Sequence, residues 1–537
     1  MAEARQSAAA QSLRELVINA GLELIDNEGL SLTFDSISYA RVFEYLWDEY
    51  EVTVTRGSVH ERIWASQDDF RRDVLAESVS YFSDNGIMAT LFEQAESNDG
   101  PSEFARSLGS GALPEMMRRP MFGRYQSVKA LSCWFDDPLA TDTLHELLNE
   151  RAERALTEAS TAIPATFARL GLQPRSDLGL EAHHAASLWV VLTTALTEGG
   201  LLNYHAGSHD LTSAVDYLFT PADVDEPWSY LAVGIKSLLD ALYEPNPTPD
   251  VDEPPPVIEP PTRRPLRVEA TRSDPEAKPV RRQRSQLREL VLTAAVELLF
   301  RNGPELRPEL LTYSSVLGHL KKAQGVTVNR SSIHPRIWTS NEDFRLDVLA
   351  ACLDASSTPV RAMSEVIEVL QPQRRPDGSV DPQRSASEVF RLGGSSVSGF
   401  SKRAKSFRLL LQIKASLIDL PDTRATTALR ALVAKVESQR MEGNNAELRG
   451  LVLQRGFRVK PEIGISEDDA VQLFQTLSMT TAAGLIFNEL AGIQAATRQF
   501  TLPEPGAPDE TEDWSPLGFA MRSFFYQLFE EDVPMPN

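Results

Sequence analysis

A chain of 537 residues is long enough for roughly three or four domains, and its hydrophobic fraction of 42% and charged fraction of 24% are those of ordinary globular proteins. These values exclude wholesale disorder and a disulfide-stapled scaffold, and the two cysteines, Cys133 and Cys352, favour a reducing, cytoplasmic setting. The net charge of −23 argues against general affinity for nucleic acid, since phosphate binding depends on Lys and Arg. No apolar run is long enough to predict a membrane span.

The chain contains an internal repeat, which decides how its domains are counted. Residues Leu13–Val17 return unchanged as Leu287–Val291, and the same shift of 274 positions gives about 30 identities over about 65 residues from Ser12 onward. After an insertion in the second copy, a shift of about 285 aligns the rest of each half. The pairs aligned at that shift include Gly179 with Gly464, Gly199 with Gly484, Asn203 with Asn488 and Gly207 with Gly492.

Each copy opens with a series of short helices. Apolar residues at helical spacing predict a first helix over 12–28 and a second over 36–47. A short third helix follows. Because proline is tolerated only in a first helical turn, Pro335 favours Ser332, and by the repeat Ser58, as the N-cap of that helix.

A fourth helix is predicted to begin at a capped turn in each copy. Ser66 is followed three residues later by Asp69, and Ser340 is followed in the same way by Asp343. A serine with an acidic residue at this spacing is typical of a capping box. Both copies are therefore expected to start a helix here.

This order of helices resembles the DNA-binding head of TetR-type transcription regulators. The segment Arg56–Ser66 is similar to the recognition segment of that family, in which a short turn, an aromatic residue and a Ser-led cap follow in order. The resemblance implies an all-α fold, in which each head precedes a helical effector and dimerisation domain. The regions so predicted are a first helix-turn-helix head (1–80), a first effector domain (81–244), a linker with a basic arm (245–285), a second head (286–355) and a second effector domain (356–537).

The linker is predicted from its composition. Residues 245–285 are rich in proline and lack apolar periodicity, which is typical of extended connections. Their last part, Arg263–Ser285, carries eight bases and three acids. The second head is therefore preceded by a basic arm that the first head lacks.

In the TetR family, the last two helices of each subunit form a four-helix dimer interface. The segments that resemble them are Glu181–His205, Trp228–Tyr243, Ser466–Leu490 and Trp514–Phe529. The resemblance implies that the fused halves pair within one chain as an intramolecular pseudo-dimer. Since the halves then satisfy each other's interface, we expect a monomer in solution.

The candidate DNA contacts lie around the third helix of each head. The start of a recognition helix meets base edges, and the polar groups beside it contact phosphates. The residues so placed are Thr55, Arg56, Ser58, His60 and Arg62 in the first head, and Asn329, Arg330, Ser332, His334 and Arg336 in the second. Further candidates are Lys321 and Lys322 in the second helix and Arg281, Arg282 and Arg284 in the arm. The alternative is that Arg62 and Arg336 only pair with Asp69 and Asp343.

The two heads differ in charge. Residues 12–76 contain six arginines and thirteen acids, a sum of −7, whereas residues 286–350 contain eight bases and seven acids, a sum of +1. The second head is better suited to a phosphate backbone. We therefore expect double-stranded DNA as the partner, with an asymmetric operator.

A small-molecule effector is a further prediction, because effector domains of the TetR family commonly enclose a ligand among apolar helices. The candidate residues are Trp134, His183, Trp189 and Tyr204. The alternative is that they are ordinary core and surface residues, as is expected of Trp64 and Trp338 in the heads. The sequence contains no motif of an enzyme, a metal site or a cofactor site, so none of these is predicted.

Two functions therefore stand side by side. The first is a sequence-specific DNA-binding transcription regulator, repressive and ligand-responsive, that acts as a single-chain pseudo-dimer. The second is an interaction protein that keeps the fold and has lost DNA binding. The arginines at 56, 62, 330 and 336 favour the first, and the acidic first head favours the second.

Overall fold

The computed structural model describes residues 2–28, 37–60, 62–83, 91, 93–95, 97, 100–132, 138–215, 228–246, 283–301, 312–355, 386–394, 410–411, 413–415, 417–418, 424–454, 456–504 and 507–531. Over these residues the chain is mostly helical, in agreement with the predicted all-α class. It divides into two compact units, residues 1–253 with 356–537, and residues 254–355. The second predicted head lies in the smaller unit.

The helices of the larger unit that precede the smaller one are α1 (Ala2–Glu28), α2 (Tyr39–Tyr50), α3 (Arg56–Val59), α4 (Gln67–Ser83), α5 (Pro101–Ser107), α6 (Leu113–Met117), α7 (Pro120–Ser132), α8 (Pro138–Arg169), α9 (Ala182–His205) and α10 (Tyr230–Leu242). The smaller unit contains α11 (Gln283–Arg301), α12 (Tyr313–Gln324), α13 (Arg330–Ile333) and α14 (Asn341–Ala355). The larger unit continues with α15 (Arg424–Gln454), α16 (Glu467–Leu490) and α17 (Pro516–Leu528). Residues 386–394 are also helical.

Short antiparallel strand pairs accompany the helices of the larger unit. They are β1 (Leu172–Pro174) with β4 (Tyr243–Pro245), β2 (Ala214–Val215) with β3 (Trp228–Ser229), β5 (Phe457–Val459) with β8 (Phe529–Glu531), and β6 (Phe500–Glu504) with β7 (Ala507–Trp514). The β1–β4 and β5–β8 pairs occupy corresponding places in the two halves. The sequence does not predict these strands, because most of them are too short for an alternating pattern.

The first two helices of each head follow the predicted order with shifted ends. α1 begins at Ala2 rather than at residue 12, and α2 begins at Tyr39. The Ser38 hydroxyl accepts a hydrogen bond from the Arg41 backbone N–H at 3.3 Å and so caps α2. Thr312 caps α12 in the same way, through the Ser315 N–H at 3.1 Å.

The prediction that Ser58 and Ser332 are N-caps is wrong. α3 and α13 are single turns whose N-caps are Thr55 and Asn329, both in extended backbone. The Ser58 hydroxyl donates to the Thr55 carbonyl at 2.6 Å, so it lies inside the turn. Proline is accommodated because the helix ends before it reaches Pro335, which lies in the following turn.

The predicted caps of the fourth helices are confirmed. The Asp69 N–H donates to the Ser66 hydroxyl at 3.1 Å, and the Asp343 N–H donates to the Ser340 hydroxyl at 3.0 Å. The Ser66 hydroxyl in turn donates to the Asp69 carboxylate at 2.9 Å. Each cap satisfies a backbone donor that the first helical turn leaves open.

The larger unit brings together the four segments that the sequence pairs by repeat. α9 packs along α16, α10 and α17 contact each other, and each contacts the helix that precedes it in its own half. Their buried residues form one apolar core across the two halves. The first head shares a second core with α7, α8 and residues 491–495.

Two aligned glycines set the closest approach of α9 and α16. A Cβ on Gly199 would lie 2.0 Å from the Thr480 carbonyl oxygen, and a Cβ on Gly484 would lie 1.8 Å from the Ala195 carbonyl oxygen. The shift of 285 that aligns the glycines also aligns Ala195 with Thr480. The contact is therefore reciprocal, as in an isologous interface.

Two buried lysines, also aligned by that shift, reach across this contact. Lys129 is 1% exposed and its Nζ lies 2.7 Å from Glu198 Oε1, and the same Nζ donates to the Asn488 side chain of the other half. Asn488 Nδ2 also donates to Glu198 Oε2 at 2.6 Å. The sequence does not reveal this network, because a lone lysine in an apolar helix is usually exposed.

The second lysine makes the corresponding contact with a different acid. Lys414 is 3% exposed and its Nζ donates to Asn203 Oδ1 of the first half at 2.7 Å. Its carboxylate partner is Glu437 on α15, at 3.2 Å. Asn203 Nδ2 donates in turn to Thr480 Oγ1 at 3.0 Å.

Helices α9 and α16 are long and apolar enough to cross a membrane by composition alone. In each, most of the apolar stretch is covered by protein, 78% and 89% respectively. Burial of this extent is typical of the core helices of a protein, whose apolar side chains pack against other helices.

Candidate nucleic-acid interface

A buried tryptophan fixes the end of the segment that runs from α3 to Trp64 in the first head, which with 330–338 in the second head is named here for its predicted role as the recognition turn. Trp64 is 3% exposed, and its indole N–H donates to Asp73 Oδ2 at 2.7 Å. Arg14 of α1 donates to the same oxygen at 2.8 Å. One carboxylate therefore ties α1 and α4 to the turn, and the prediction that Trp64 anchors the core is confirmed.

The second head repeats this arrangement at each aligned position. Trp338 is 4% exposed and donates to Asp347 Oδ2 at 2.8 Å, and Arg288 donates to the same oxygen at 2.7 Å. Its anchoring role is confirmed as well. The scaffold that presents the turn is thus the same in both heads.

An aromatic stack supports the turn from the second helix. The ring centroids of Tyr39 and Phe70 are 4.8 Å apart, and the Tyr39 hydroxyl donates to the Ser66 carbonyl at 3.1 Å. In the second head Tyr313 makes the same two contacts, with Phe344 at 4.7 Å and with the Ser340 carbonyl at 3.0 Å. Burial raises the pKa of Tyr313 to about 12, which keeps its hydroxyl a donor.

Both predicted histidines face their own turn. His60 and His334 are half-buried, and the Nδ1 atoms lie 3.5 and 3.2 Å from the carbonyl oxygens of Trp64 and Trp338. A ring nitrogen in this position holds the turn closed. The structure therefore supports a positioning role for these two histidines, and it does not direct Nδ1 toward a ligand.

The other predicted side chains of the turn are exposed. They are Thr55, Arg56 and Arg62 in the first head, and Lys321, Lys322, Asn329, Arg330 and Arg336 in the second. Ser58 and Ser332 are half-buried. The Arg330 guanidinium lies 5.7 Å from the centroid of the Tyr313 ring, which orients it by a cation–π contact.

The alternative ion pairs are not present among the residues that the structure describes. Asp69 is bonded to Ser66 and Arg72, and Asp343 to Ser340 and Thr339. Arg62 and Arg336 have no carboxylate partner in the described parts of the chain. Their guanidinium groups are therefore available to an outside ligand.

Little of the basic arm lies within the described residues. Arg281 and Arg282 lie outside the described residues, and Arg284 lies in the first turn of α11, where only its backbone is described. Their predicted contacts with phosphate stay predictions.

The predicted effector residues do not form one site. Trp189 is fully buried and packs against Phe104 and Phe167, whereas His183 and Tyr204 lie exposed near opposite ends of α9. Trp134 lies outside the described residues. A helix rises about 1.5 Å per residue, so His183 and Tyr204 are separated by roughly 30 Å along it.

The structure does bring His183 close to two other possible ligands. The ligand atoms of Glu181, His183 and His184 lie within 4.8 Å of one another at the start of α9. All three side chains are exposed, and the positive end of the helix dipole disfavours a cation there. The sequence spacing of these three residues is not that of a known metal-binding motif.

Comparison of the chain with protein-family models, with curated proteins and with solved structures found no match. What bears on function is therefore the geometry of the two heads and of the contact between the two halves.

Proposed function

We propose that this chain is a sequence-specific DNA-binding transcription regulator, in which the second head makes most of the DNA contacts. The observation that carries the proposal is the set of exposed cations around α13. Lys321 and Lys322 end the second helix, and Arg330 and Arg336 flank the recognition turn. None of the four has a carboxylate partner among the described residues.

Lysine and arginine suit the two kinds of contact, with phosphates and with bases, that a sequence-specific DNA-binding protein makes. Lysines at the end of α12 are point charges for phosphate, and their release of counterions supplies affinity without sequence preference. Arg330, fixed over the Tyr313 ring, presents a planar guanidinium that can pair bidentately with guanine. Asn329 beside it is suited to adenine.

The tandem heads support an asymmetric operator. Head one offers Arg56 and Arg62 at the matching positions, but Trp47 and Asp48 replace the two lysines. A palindromic site presents the same half-site twice and is therefore suited to two identical heads. The two heads of this chain differ in charge. We therefore propose one strong and one weak half-site, with repression as the output because a bound chain excludes other proteins from the promoter.

The proposal includes pairing of the two halves within a single chain. The reciprocal glycine contact between α9 and α16 supports it, since the surface that would make a second subunit's interface is already covered. We expect a mass near 59.5 kDa in solution. A stable dimer mass from light scattering at micromolar concentration would contradict this part of the proposal.

The test is selective binding by the purified full chain. Labelled genomic fragments from beside the gene are compared with shuffled duplexes by fluorescence anisotropy, at several salt concentrations. We expect selection of one fragment, and a salt slope that becomes less steep by about 2 when Lys321 and Lys322 are both changed to Ala. Lys435→Ala, an exposed lysine of α15, should leave the slope unchanged.

Equal, weak binding to every duplex would sink the proposal and favour the interaction protein instead. The feature that favours that second function is the exposed surface of the first head's α2.

A further inference from the structure

The exposed surface of α2 in the first head differs from its counterpart in the second. Trp47 is 57% exposed and Tyr50 is 49% exposed, although large aromatic side chains usually lie inside a head of this size. Three exposed acids surround Trp47 at helical spacing, namely Glu44, Asp48 and Glu51. Positions 44, 47, 48 and 51 share one helical face, and Tyr50 lies one turn from Trp47. We name these five residues the acidic aromatic face.

The repeat shows that this face is not required by the fold. The inner positions of the helix are unchanged between the heads: Tyr39, Val42 and Leu46 match Tyr313, Val316 and Leu320. The outer positions 44, 47, 48, 50 and 51 match Gly318, Lys321, Lys322, Gln324 and Gly325. Every side chain of the acidic aromatic face is therefore replaced in a head that keeps the same three fully buried side chains of this helix.

The backbone conformation of Glu51 at the end of α2 indicates independently that this residue has a role other than stability. Glu51 adopts φ 54°, in the left-handed region, where it caps α2 through its N–H to the Leu46 and Trp47 carbonyls. Gly325 occupies this position in the second head with φ 69°. A glycine is the favoured residue there, and a glutamate is strained.

One ring of the face is held in place. The Tyr50 hydroxyl donates to the Glu23 carboxylate of α1, and its ring meets the edge of Tyr45 with centroids 6.2 Å apart. The hydrogen bond to Glu23 is the main cause that raises the pKa of Tyr50 above its usual value. The ring is thus oriented before any partner arrives.

We infer that the acidic aromatic face of the first head binds an arginine-rich segment of another protein. Guanidinium groups stack on Trp and Tyr rings and pair with carboxylates, so they match both components of the face. DNA and anionic membranes are disfavoured because the acids would repel their phosphates. A second copy of the same face is disfavoured because like charges would meet.

The probe is a labelled nonapeptide of alternating arginine and glycine, titrated with the full chain at about 0.15 M salt, where the Debye length is about 8 Å. We expect saturable binding, weaker binding when the arginines are replaced by lysines, and none when they are replaced by glutamines. The double variant Trp47→Lys with Asp48→Lys introduces the residues of the second head, so the helix should be retained. It should lose at least tenfold in affinity, and Glu77→Gln, an exposed acid of α4, should lose none.

Glu51→Gly separates this function from a structural role. It should raise the midpoint of thermal unfolding, because glycine relieves the left-handed backbone, and it should weaken peptide binding at least twofold. Unchanged affinity in both the Glu51 and the Trp47/Asp48 variants would overturn the inference. So would self-association that the Trp47/Asp48 variant abolishes. The assay contains no operator, so its result is separate from the test of DNA binding by the second head.

Discussion

In the two heads, the side chains that close the recognition turn are the same, and the side chains that end the second helix are not. Trp64 and Trp338 donate to aligned aspartates at 2.7 and 2.8 Å. Near the end of the second helix, however, the outward side chains change from Trp47 and Asp48 to Lys321 and Lys322. Packing constrains the first group, whereas solvent leaves the second group free to diverge.

The same division holds where the two halves meet. Lys129 and Lys414 are aligned and each contacts an asparagine of the opposite half. Their carboxylate partners differ in origin, since Glu198 lies on α9 and Glu437 lies on α15. A buried ammonium needs a neutralising acid, but either neighbouring helix can supply it.

The largest expected difference between the halves concerns DNA. Replacing Arg330 and Arg336 together by Ala should weaken operator binding by about 2 to 6 kcal/mol in total, at about 1 to 3 for each base-directed arginine. The same change at Arg56 and Arg62 should cost clearly less, because the surrounding acids leave the first head few phosphate contacts. Anisotropy titrations on one operator measure both. If both double variants lost the same affinity, and footprinting showed a palindromic site, the two heads would have to bind DNA equally.

Removing a buried lysine should destabilise both halves alike. Lys129→Ala and Lys414→Ala should each lower the free energy of unfolding by about 3 to 5 kcal/mol, because each leaves a carboxylate buried without a partner. Urea unfolding provides the measurement. The pair Lys129→Met with Glu198→Leu should recover part of the loss, since an apolar pair of similar volume needs no neutralisation, while Asn488 and Gln126 each lose a hydrogen-bond partner. A loss below about 1 kcal/mol in the single variants would show that water reaches these lysines.

A pH-dependent difference is expected at His205, whose aligned partner is Leu490. Burial and the nearby Arg430 lower the pKa of His205 to about 4, so the folded chain keeps the ring neutral. The resulting stabilisation is complete above the ordinary histidine pKa of about 6.5 and is lost as the pH falls from there through about 4.

The variant His205→Leu introduces the residue of the second half and should remove that pH dependence. Relative to the variant, the natural chain should lose up to about 3 kcal/mol over this range, at about 1.4 kcal/mol per pKa unit. Urea unfolding at a series of pH values measures the difference. Parallel pH profiles of the two proteins would show that His205 titrates normally.

The smallest effect should be the same in both halves. Gly199→Ala and Gly484→Ala should each cost about 1 to 3 kcal/mol, because the new methyl group would meet a backbone carbonyl of the opposite helix. Gly111→Ala, which has open space around its Cβ, is the control and should be neutral or slightly stabilising. Thermal unfolding measures all three. Markedly unequal costs at 199 and 484 would argue against a reciprocal contact.

Part of the candidate interface could be predicted from the sequence. The repeat located the turn in each head, and the expectation that Trp64 and Trp338 anchor the core of each head agrees with their burial. The roles of His60 and His334 could not be predicted, because a half-buried histidine that faces a carbonyl has the same sequence context as an exposed one. Trp47 could have been found from the repeat alone, since an aromatic residue aligned with Lys321 cannot be serving the shared core.

The sequence by itself determined the duplication, which is a direct comparison of residue identities. It also determined the helical class and the caps at Ser66 and Ser340, since each of these depends on residues within a few positions of one another. Only the tertiary structure decided that Lys129 meets Asn488 and that Glu437 neutralises Lys414. The first of these contacts joins residues that are far apart in the chain, and it lies where Gly199 and Gly484 let two helices approach closely. The second joins Lys414 to a residue on another helix. Local patterns specify helices, but the crossing of helices specifies which polar groups must be satisfied inside.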